Sequence, residues 1–268
     1  MKIAIIAEGR TGSNYLCSLL SKKFKLTNDS DTVTNNRMSF QYYDYYNTLN
    51  SRDNFVLKHT ATTLTPLWDV IRHGHELTHD YTIIDWSIYD YIIILSRKNL
   101  YDQISSWMLG NLWTDVEFRN YYSDFQEKQY SSRRYSLARY IVENNITMSD
   151  INKNRNQTDW VESQIEWALT RIYLVRLVQK YVASKYTTHE LNSESLIYHH
   201  KNLTEKFSNI FQVDFTREDF EDPNLTETKR DDNFEWIDFR KITGIDDYVD
   251  SIFSTSDKLK YYRRIFYE

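Results

Sequence analysis

The sequence predicts an α/β fold with a central, mostly parallel sheet flanked by helices, and with a largely helical middle and C-terminal part. Short apolar runs at 2–7, 55–58, 81–84 and 91–96 alternate with helical stretches in the first third of the chain, which is typical of a parallel sheet. The run 91–96 (Y-I-I-I-L-S) is the strongest pattern for a buried strand. From residue 99 to about 184 the pattern becomes helical, and its clearest helix is predicted over 160–186.

The first twenty residues read as a strand, a tight polar turn and a helix. An apolar run at 2–7 is followed by the turn 8–13 (E-G-R-T-G-S) and by helical residues 14–20 (N-Y-L-C-S-L-L). This layout presents backbone N–H groups and a helix N-terminus to an anion. We therefore expect phosphate or sulfate binding at the turn, the alternative being a plain strand–helix turn with a glycine for positive φ.

The turn differs from the two commonest nucleotide-binding loops. The triphosphate loop G-x-x-x-x-G-K-[ST] has a lysine directly after its second glycine, whereas here Ser13 follows Gly12 and the basic residue, Arg10, precedes it. The dinucleotide pattern G-x-G-x-x-G is also missing from the turn.

The turn resembles the loop of the sulfotransferase family, P-[KR]-[ST]-G-[ST]-x-[WYL]-L, which lies between a first strand and a first helix. Residues 9–16 (G-R-T-G-S-N-Y-L) follow this pattern in order, with glycine in place of proline. The resemblance implies a P-loop-containing, sulfotransferase-like fold and a loop that holds the 5′-phosphosulfate of 3′-phosphoadenosine-5′-phosphosulfate (PAPS). Arg10 would lie over the bridging oxygen of the leaving phosphate. The cofactor-binding residues implied in the loop are Gly9, Arg10, Thr11, Gly12, Ser13 and Asn14.

A second segment strengthens the resemblance. In sulfotransferases a buried strand ends in an arginine, and a serine follows eight residues later on the next helix; here these are Arg97 and Ser105. The family uses this pair to bind the 3′-phosphate of the nucleotide. A guanidinium offers a forked contact to phosphate oxygens and a hydroxyl adds one directional bond. Taken alone, each residue would read as an ordinary surface side chain.

A weaker third match follows at 188–196 (T-H-E-L-N-S-E-S-L), where family members have a late strand that runs into an acidic turn. The segment 203–215 supplies the helix and apolar stretch that come next. The resemblance then suggests that Lys229 and Arg230 contact the 3′-phosphate, although a charged pair in a polar loop is most often simply solvated.

Sulfuryl transfer needs an acceptor oxygen in line, a base for its proton and positive charge for the departing phosphate. Arg10 can supply charge, and Lys58 and His59 are the other predicted catalytic residues, because many sulfotransferases end their second strand in K-T-H with the histidine as base. The two residues are adjacent here, so a strand would direct them to opposite faces. The alternative bases are Asp31 or Asp44.

Glu8 is a further candidate base, although a carboxylate beside the phosphate-binding groups would repel the cofactor. His73, His75 and His79 lie in R-H-G-H-E-L-T-H, whose spacing matches no common metal motif. We expect no metal site there.

Composition limits the other possibilities. The 268 residues carry a formal charge of −5, which disfavours nonspecific nucleic-acid binding. One cysteine, Cys17, allows no intrachain disulfide, and no apolar run is long enough to span a bilayer. We expect a single domain over 1–268 with a possible helical insertion or acceptor-site lid at 113–157, and a cytoplasmic location with no membrane partner.

The resemblance implies an enzyme that moves a sulfuryl group from PAPS to a hydroxyl of a carbohydrate or a small molecule. A P-loop kinase is the alternative enzyme; it would need a Mg²⁺-binding carboxylate at a strand end, for which 82–85 (T-I-I-D) is the candidate. A sulfotransferase fold that only binds a partner is the alternative from another class.

Overall fold

The structure is a computed structural model that describes residues 1–28, 51–60, 84–114, 133–154, 159–198, 200–221 and 236–255. Packing divides the chain into two compact units, Met1–Lys98 with Leu174–Thr226, and Asn99–Tyr173 with Glu227–Glu268. The single domain predicted over 1–268 and the insertion at 113–157 stay predictions.

The first unit contains a five-stranded sheet. Its strands are β1 (Lys2–Ala7), β2 (Thr27–Asn28), β3 (Phe55–His59), β4 (Tyr91–Ser96) and β5 (His189–Asn192). They lie in the order β2-β3-β1-β4-β5, and every pairing is parallel. The prediction of an α/β fold is therefore confirmed, and the sheet is wholly parallel among the described residues.

Helices cover both faces of this sheet. On one face, alternate residues of β1, β3 and β4 pack against α1 (Ser13–Phe24) and α7 (His200–Phe211). On the other, the intervening residues pack against residues 174–182 of α5 (Trp160–Lys185) and a 3₁₀ turn at Trp86–Ile88. Burial on both sides explains why β1 and β4 read as continuous apolar runs instead of alternating ones.

Two short helices complete the first unit, α6 (Ser193–Tyr198) and α8 (Arg217–Glu221). Phe220 of α8 joins an aromatic cluster with Phe207, Phe211 and Phe215, whose ring centroids lie 5.3–6.0 Å apart. Such spacing is favourable for aromatic packing, and it fixes α7 and α8 beside α1.

The second unit is helical in its described residues. It contains α2 (Leu100–Thr114), α3 (Arg133–Glu143), α4 (Met148–Asn154), the first part of α5, α9 (Trp236–Thr243) and α10 (Ile245–Thr255). Apolar residues from these helices form one core, among them Ile104, Ile165 and Phe239. No helix among the described residues is long and apolar enough to cross a membrane.

The predicted elements compare closely with the observed ones. The strands at 2–7 and 91–96 have the predicted bounds, the strand at 55–58 extends to His59, and the helix at 160–186 ends at Lys185. The predicted strand at 81–84 falls mostly outside the described residues, and Ile84, its described member, lies in a bend. A 3₁₀ turn at Trp86–Ile88, which the sequence pattern did not predict, follows Ile84 after one intervening residue.

Candidate functional site

The topology singles out the carboxyl ends of β1 and β4 as the place for a ligand. β1 lies between β3 and β4; the chain leaves β1 toward the β2 edge and leaves β4 toward β5. Ligands of open α/β sheets bind in the crevice where neighbouring strands diverge in this way. The loop 8–13 follows β1 and Arg97 follows β4, so both predicted phosphate-binding segments lie at this crevice.

The loop 8–13 has an unusual backbone. Arg10 has φ 66° and Gly12 has φ 80°, so two residues in this short turn occupy the left-handed region. That region is ordinary for glycine and costs roughly 1–3 kcal/mol for a residue with a side chain. Thr11 is fully buried and its hydroxyl donates to Glu8 O at 2.7 Å, which stabilises the turn from within.

Gly12 is also the N-cap of α1. Its carbonyl accepts the first intrahelical bond, from Leu16 N at 3.1 Å, and it has no side chain with which to cap the helix. The N–H groups of a first helical turn have no intrahelical acceptors, and the helix dipole adds positive potential there. The end of α1 at Ser13 and Asn14 therefore has the features of an anion site.

Lys58 brings a positive charge to this helix end. It lies on the face of β3 that packs against α1, is 7% exposed, and its Nζ donates to Asn14 Oδ1. Within the described part of the chain no carboxylate lies within ion-pairing distance of Lys58. A nearly buried ammonium beside the positive end of a helix is electrostatically unfavourable, and a bound anion would relieve this.

Arg97 approaches the loop from the other strand. It is 9% exposed, its Nη1 lies 3.5 Å from Arg10 O, and its Nε lies 3.9 Å from Glu194 Oε1. Glu194 also accepts from Lys98 N at 3.0 Å, which holds it at the end of β4. The predicted phosphate ligand Arg97 is thus folded against the loop that bears Arg10.

Sequence reasoning missed a third arginine at this edge, besides Arg10 and Arg97. Arg176, on α5, forms an ion pair with the fully buried Glu8, whose Oε1 lies 2.5 Å from Arg176 Nε. Gln179, one turn later, donates to Ile6 O and Leu95 O. A signal was available, because Arg176 lies within the apolar stretch 172–178 and Gln179 directly follows it. Residues three apart lie on the same side of a helix, so the two side chains share one face.

His59 faces away from Lys58, as strand alternation requires. It lies on the face of β3 that packs against α5 and is fully buried, with Nε2 2.9 Å from Tyr89 Oη. Its ring meets that of Trp86 edge-on at 4.9 Å. Burial lowers the pKa of His59 to about 3, so the ring is neutral at physiological pH and has little affinity for a proton. Its predicted role as base stays a prediction.

Of the remaining predicted residues, the structure describes Ser105 and Gly9. Ser105 belongs to the second unit, where it is fully buried on α2 and donates to Tyr101 O at 2.8 Å. Gly9 lies in the turn, without the positive φ found at Gly12. Several predicted residues fall outside the described ones: Lys229, Arg230, Asp31, Asp44, His73, His75 and His79.

No group of three or more His, Cys, Asp or Glu residues that could bind a metal occurs in the part of the chain that the structure describes. The crevice instead offers a helix N-terminus, Lys58 and Arg97, which together suit an oxyanion such as phosphate or sulfate. Comparison of the chain with protein-family models, with curated proteins and with solved structures finds no match.

Proposed function

We propose that the chain is a sulfotransferase that moves a sulfuryl group from PAPS to a hydroxyl of a carbohydrate or a small molecule. One observation carries the proposal. Lys58 on β3 contacts Asn14, while Arg97, directly after β4, contacts Arg10. One cation from each of the two strands that flank β1 therefore reaches an end of the segment 10–14. That segment is the part of the chain that follows the sulfotransferase loop pattern.

The proposed chemistry needs positive charge where negative charge develops. The acceptor oxygen attacks sulfur, the bond between sulfur and the bridging oxygen breaks, and the electron pair leaves on adenosine 3′,5′-bisphosphate. Arg10, Lys58 and the N–H groups at the start of α1 would stabilise this leaving group electrostatically. The acceptor proton passes to a base, for which His59 is poorly suited because of its lowered pKa.

The kinase alternative has less support. It needs a carboxylate at a strand end to bind Mg²⁺, and the candidate Asp85 instead caps the 3₁₀ turn. Asp85 Oδ1 accepts from Ser87 N at 3.0 Å and from Ser87 Oγ at 2.5 Å. The loop also has no lysine after Gly12.

Replacement of Arg97 tests the nucleotide assignment. In Arg97→Ala we expect adenosine 3′,5′-bisphosphate to bind about ten- to a hundredfold more weakly, which corresponds to the loss of a hydrogen bond to a charged group. Adenosine 5′-monophosphate, which lacks the 3′-phosphate, should lose much less. Isothermal titration calorimetry of both nucleotides measures the difference, with the exposed Arg217→Ala as control. Equal losses for the two nucleotides would contradict the role of Arg97.

A further inference from the structure

The first residue of the proposed phosphate loop carries a buried carboxylate. Glu8, two residues before Arg10, has no exposed surface. Its Oε2 accepts from the backbone N–H of Arg97 at 3.3 Å, and its own N–H donates to Leu95 O at 3.3 Å. Glu8 therefore joins the end of β1 to the end of β4 at the point where the anion is proposed to bind.

Arg176 completes this junction from α5. Besides the contact at 2.5 Å to Glu8, its Nη2 donates to Arg97 O at 3.2 Å. Gln179 on the same helix face donates to the carbonyl of the penultimate residue of both strands, Ile6 O at 2.9 Å and Leu95 O at 3.2 Å. The backbone on either side of the crevice is thus held by two side chains of one helix.

The charges at the crevice give Arg176 a second effect. A buried carboxylate without a cation would repel an anion bound at the loop, and low solvent exposure would leave this repulsion poorly screened. The Arg176 guanidinium from α5 contacts the Glu8 carboxylate directly, at 2.5 Å. Arg97 meets Glu8 through its backbone N–H, and its guanidinium lies near Arg10 O and near Glu194 of α6. Arg176 therefore supplies a positive charge next to the buried carboxylate.

We propose that Arg176 is a positioning residue of the anion site, which neutralises Glu8 and holds the ends of β1 and β4 so that the loop 8–13 binds an oxyanion at neutral pH. This inference rests on the proposed function, since it takes the loop to be the anion site. Arg176 itself lies on the α5 side of the sheet, opposite to α1, and so acts through Glu8 and the backbone of Arg97.

The test compares native protein with Arg176→Gln and with the double variant Glu8→Gln/Arg176→Gln, using adenosine 3′,5′-bisphosphate as the probe. At about pH 8 we expect Arg176→Gln to bind about tenfold more weakly, because the buried Glu8 charge then loses the cation that contacts it at 2.5 Å. As the pH falls, Glu8 takes up a proton and the difference from native protein disappears. The ratio of the two affinities is the measured quantity, since it cancels the titration of the nucleotide phosphates.

The double variant lacks the Glu8 carboxylate, so we expect it to bind within about threefold of native protein at every pH. Arg176→Lys keeps the positive charge, so it should weaken binding of the bisphosphate by the same factor at every pH. This variant also tests the inference if Arg176→Gln does not fold. The matched control is Lys23→Gln, which removes the cation of another ion pair of the same unit, Lys23–Asp219 at 2.7 Å, near the far end of α1.

If Arg176→Gln loses the same affinity at every pH, and the double variant loses it too, the inference is overturned, because Arg176 would then have a purely structural role. The proposed function would still stand in that case, since the native protein binds the bisphosphate. An Arg176→Lys variant with the pH dependence of Arg176→Gln would also overturn it. Failure of the native protein to bind the bisphosphate would overturn the proposed function together with the inference.

Discussion

Lys58 and His59 are neighbours in the sequence, yet they serve opposite faces of the sheet. Lys58 reaches the first turn of α1, while His59 is enclosed by Trp86 and Tyr89. Their separation follows from the period of two residues along a strand, and it was predictable once the strand was seen to include both. What the sequence did not reveal is how completely His59 is buried, because that depends on residues 86–89, which are distant in the chain.

We expect Lys58 to strengthen the binding of an anion and to lower the free energy of unfolding. In Lys58→Met, which keeps an apolar stem, we expect about tenfold weaker binding of adenosine 3′,5′-bisphosphate, as for the loss of one charged contact. The free energy of unfolding should be unchanged or higher, because the variant removes a nearly buried cation from the positive end of a helix. Urea unfolding and calorimetry measure the two quantities, and Lys180→Met, at an exposed position of α5, is the control. A less stable variant with unchanged affinity would contradict this view.

His59 should make stability depend on pH. Its pKa is about 3 in the folded protein because of burial and about 6.5 in an unfolded chain. Above pH 6.5 His59 is neutral in both the folded and the unfolded state. Below pH 6.5 only the unfolded state takes up the proton, so the free energy of unfolding decreases as the pH is lowered, by up to about 1.4 kcal/mol per pH unit. In His59→Phe the free energy of unfolding should lose this contribution to its dependence on pH. Urea unfolding between about pH 7.5 and pH 5 measures it, and equal slopes in both proteins would contradict the burial of His59.

At the scale of elements, the connection from β1 to α1 is the proposed anion site of the first unit. The loop 8–13 turns through two left-handed residues and ends at a helix without a side-chain cap. Both properties favour close approach of an anion to backbone N–H groups. The sequence predicted this connection because glycines and polar residues separate two apolar segments. The left-handed conformation of Arg10 was not predictable, since arginine has no preference for it.

Gly12 and Gly244 offer a matched pair of substitutions. Both have positive φ, 80° and 69°, and a Cβ at either position would meet nothing within 4 Å. Alanine should therefore cost each unit a similar conformational penalty, about 1–2 kcal/mol. Only Gly12→Ala should also weaken bisphosphate binding, because Gly12 sets the start of α1. Thermal unfolding and calorimetry of the two variants provide the comparison; an equal effect of both variants on binding would contradict the account of the loop.

The fold of the first unit was predictable to the extent that its strands are apolar on both faces. The runs of β1 and β4 are bounded by polar residues, so their ends could be located directly from the sequence. The short and polar β5 has one buried residue, Leu191, and its place was suggested by family resemblance and not by its pattern. The strand order could not be derived from local pattern at all, because it depends on long-range pairing.

The site was predictable in part. Arg10, Gly12 and Arg97 lie at the ends of recognisable strands, whereas Arg176 and Gln179 reach the crevice from the middle of a helix more than 70 residues further along the chain. Such contacts depend on tertiary packing and are only weakly indicated by the sequence, here by two polar residues on an apolar helix face. The loop motif therefore predicts a candidate site but does not predict the residues of α5 that support it.

At the scale of the whole molecule, net charge and local charge differ in sign. The chain carries a formal charge of −5, yet Arg10, Lys58 and Arg97 gather at one edge of the sheet beside a helix N-terminus. A local concentration of cations in an acidic protein favours a specific anionic ligand over general binding to polyanions. The length of β1, β3 and β4 and their burial on both faces give this edge a rigid support.

Calorimetric titration of the purified protein with adenosine 3′,5′-bisphosphate, alongside ATP with Mg²⁺, tests the central claim most directly. We expect the bisphosphate to bind and to stabilise the protein against unfolding, by about 2.7 kcal/mol at a concentration one hundred times its Kd. ATP with Mg²⁺ should bind weakly or undetectably. Preferential binding of ATP would favour the kinase alternative, and the absence of binding by either nucleotide would contradict the account of the loop 8–13 as a nucleotide phosphate site.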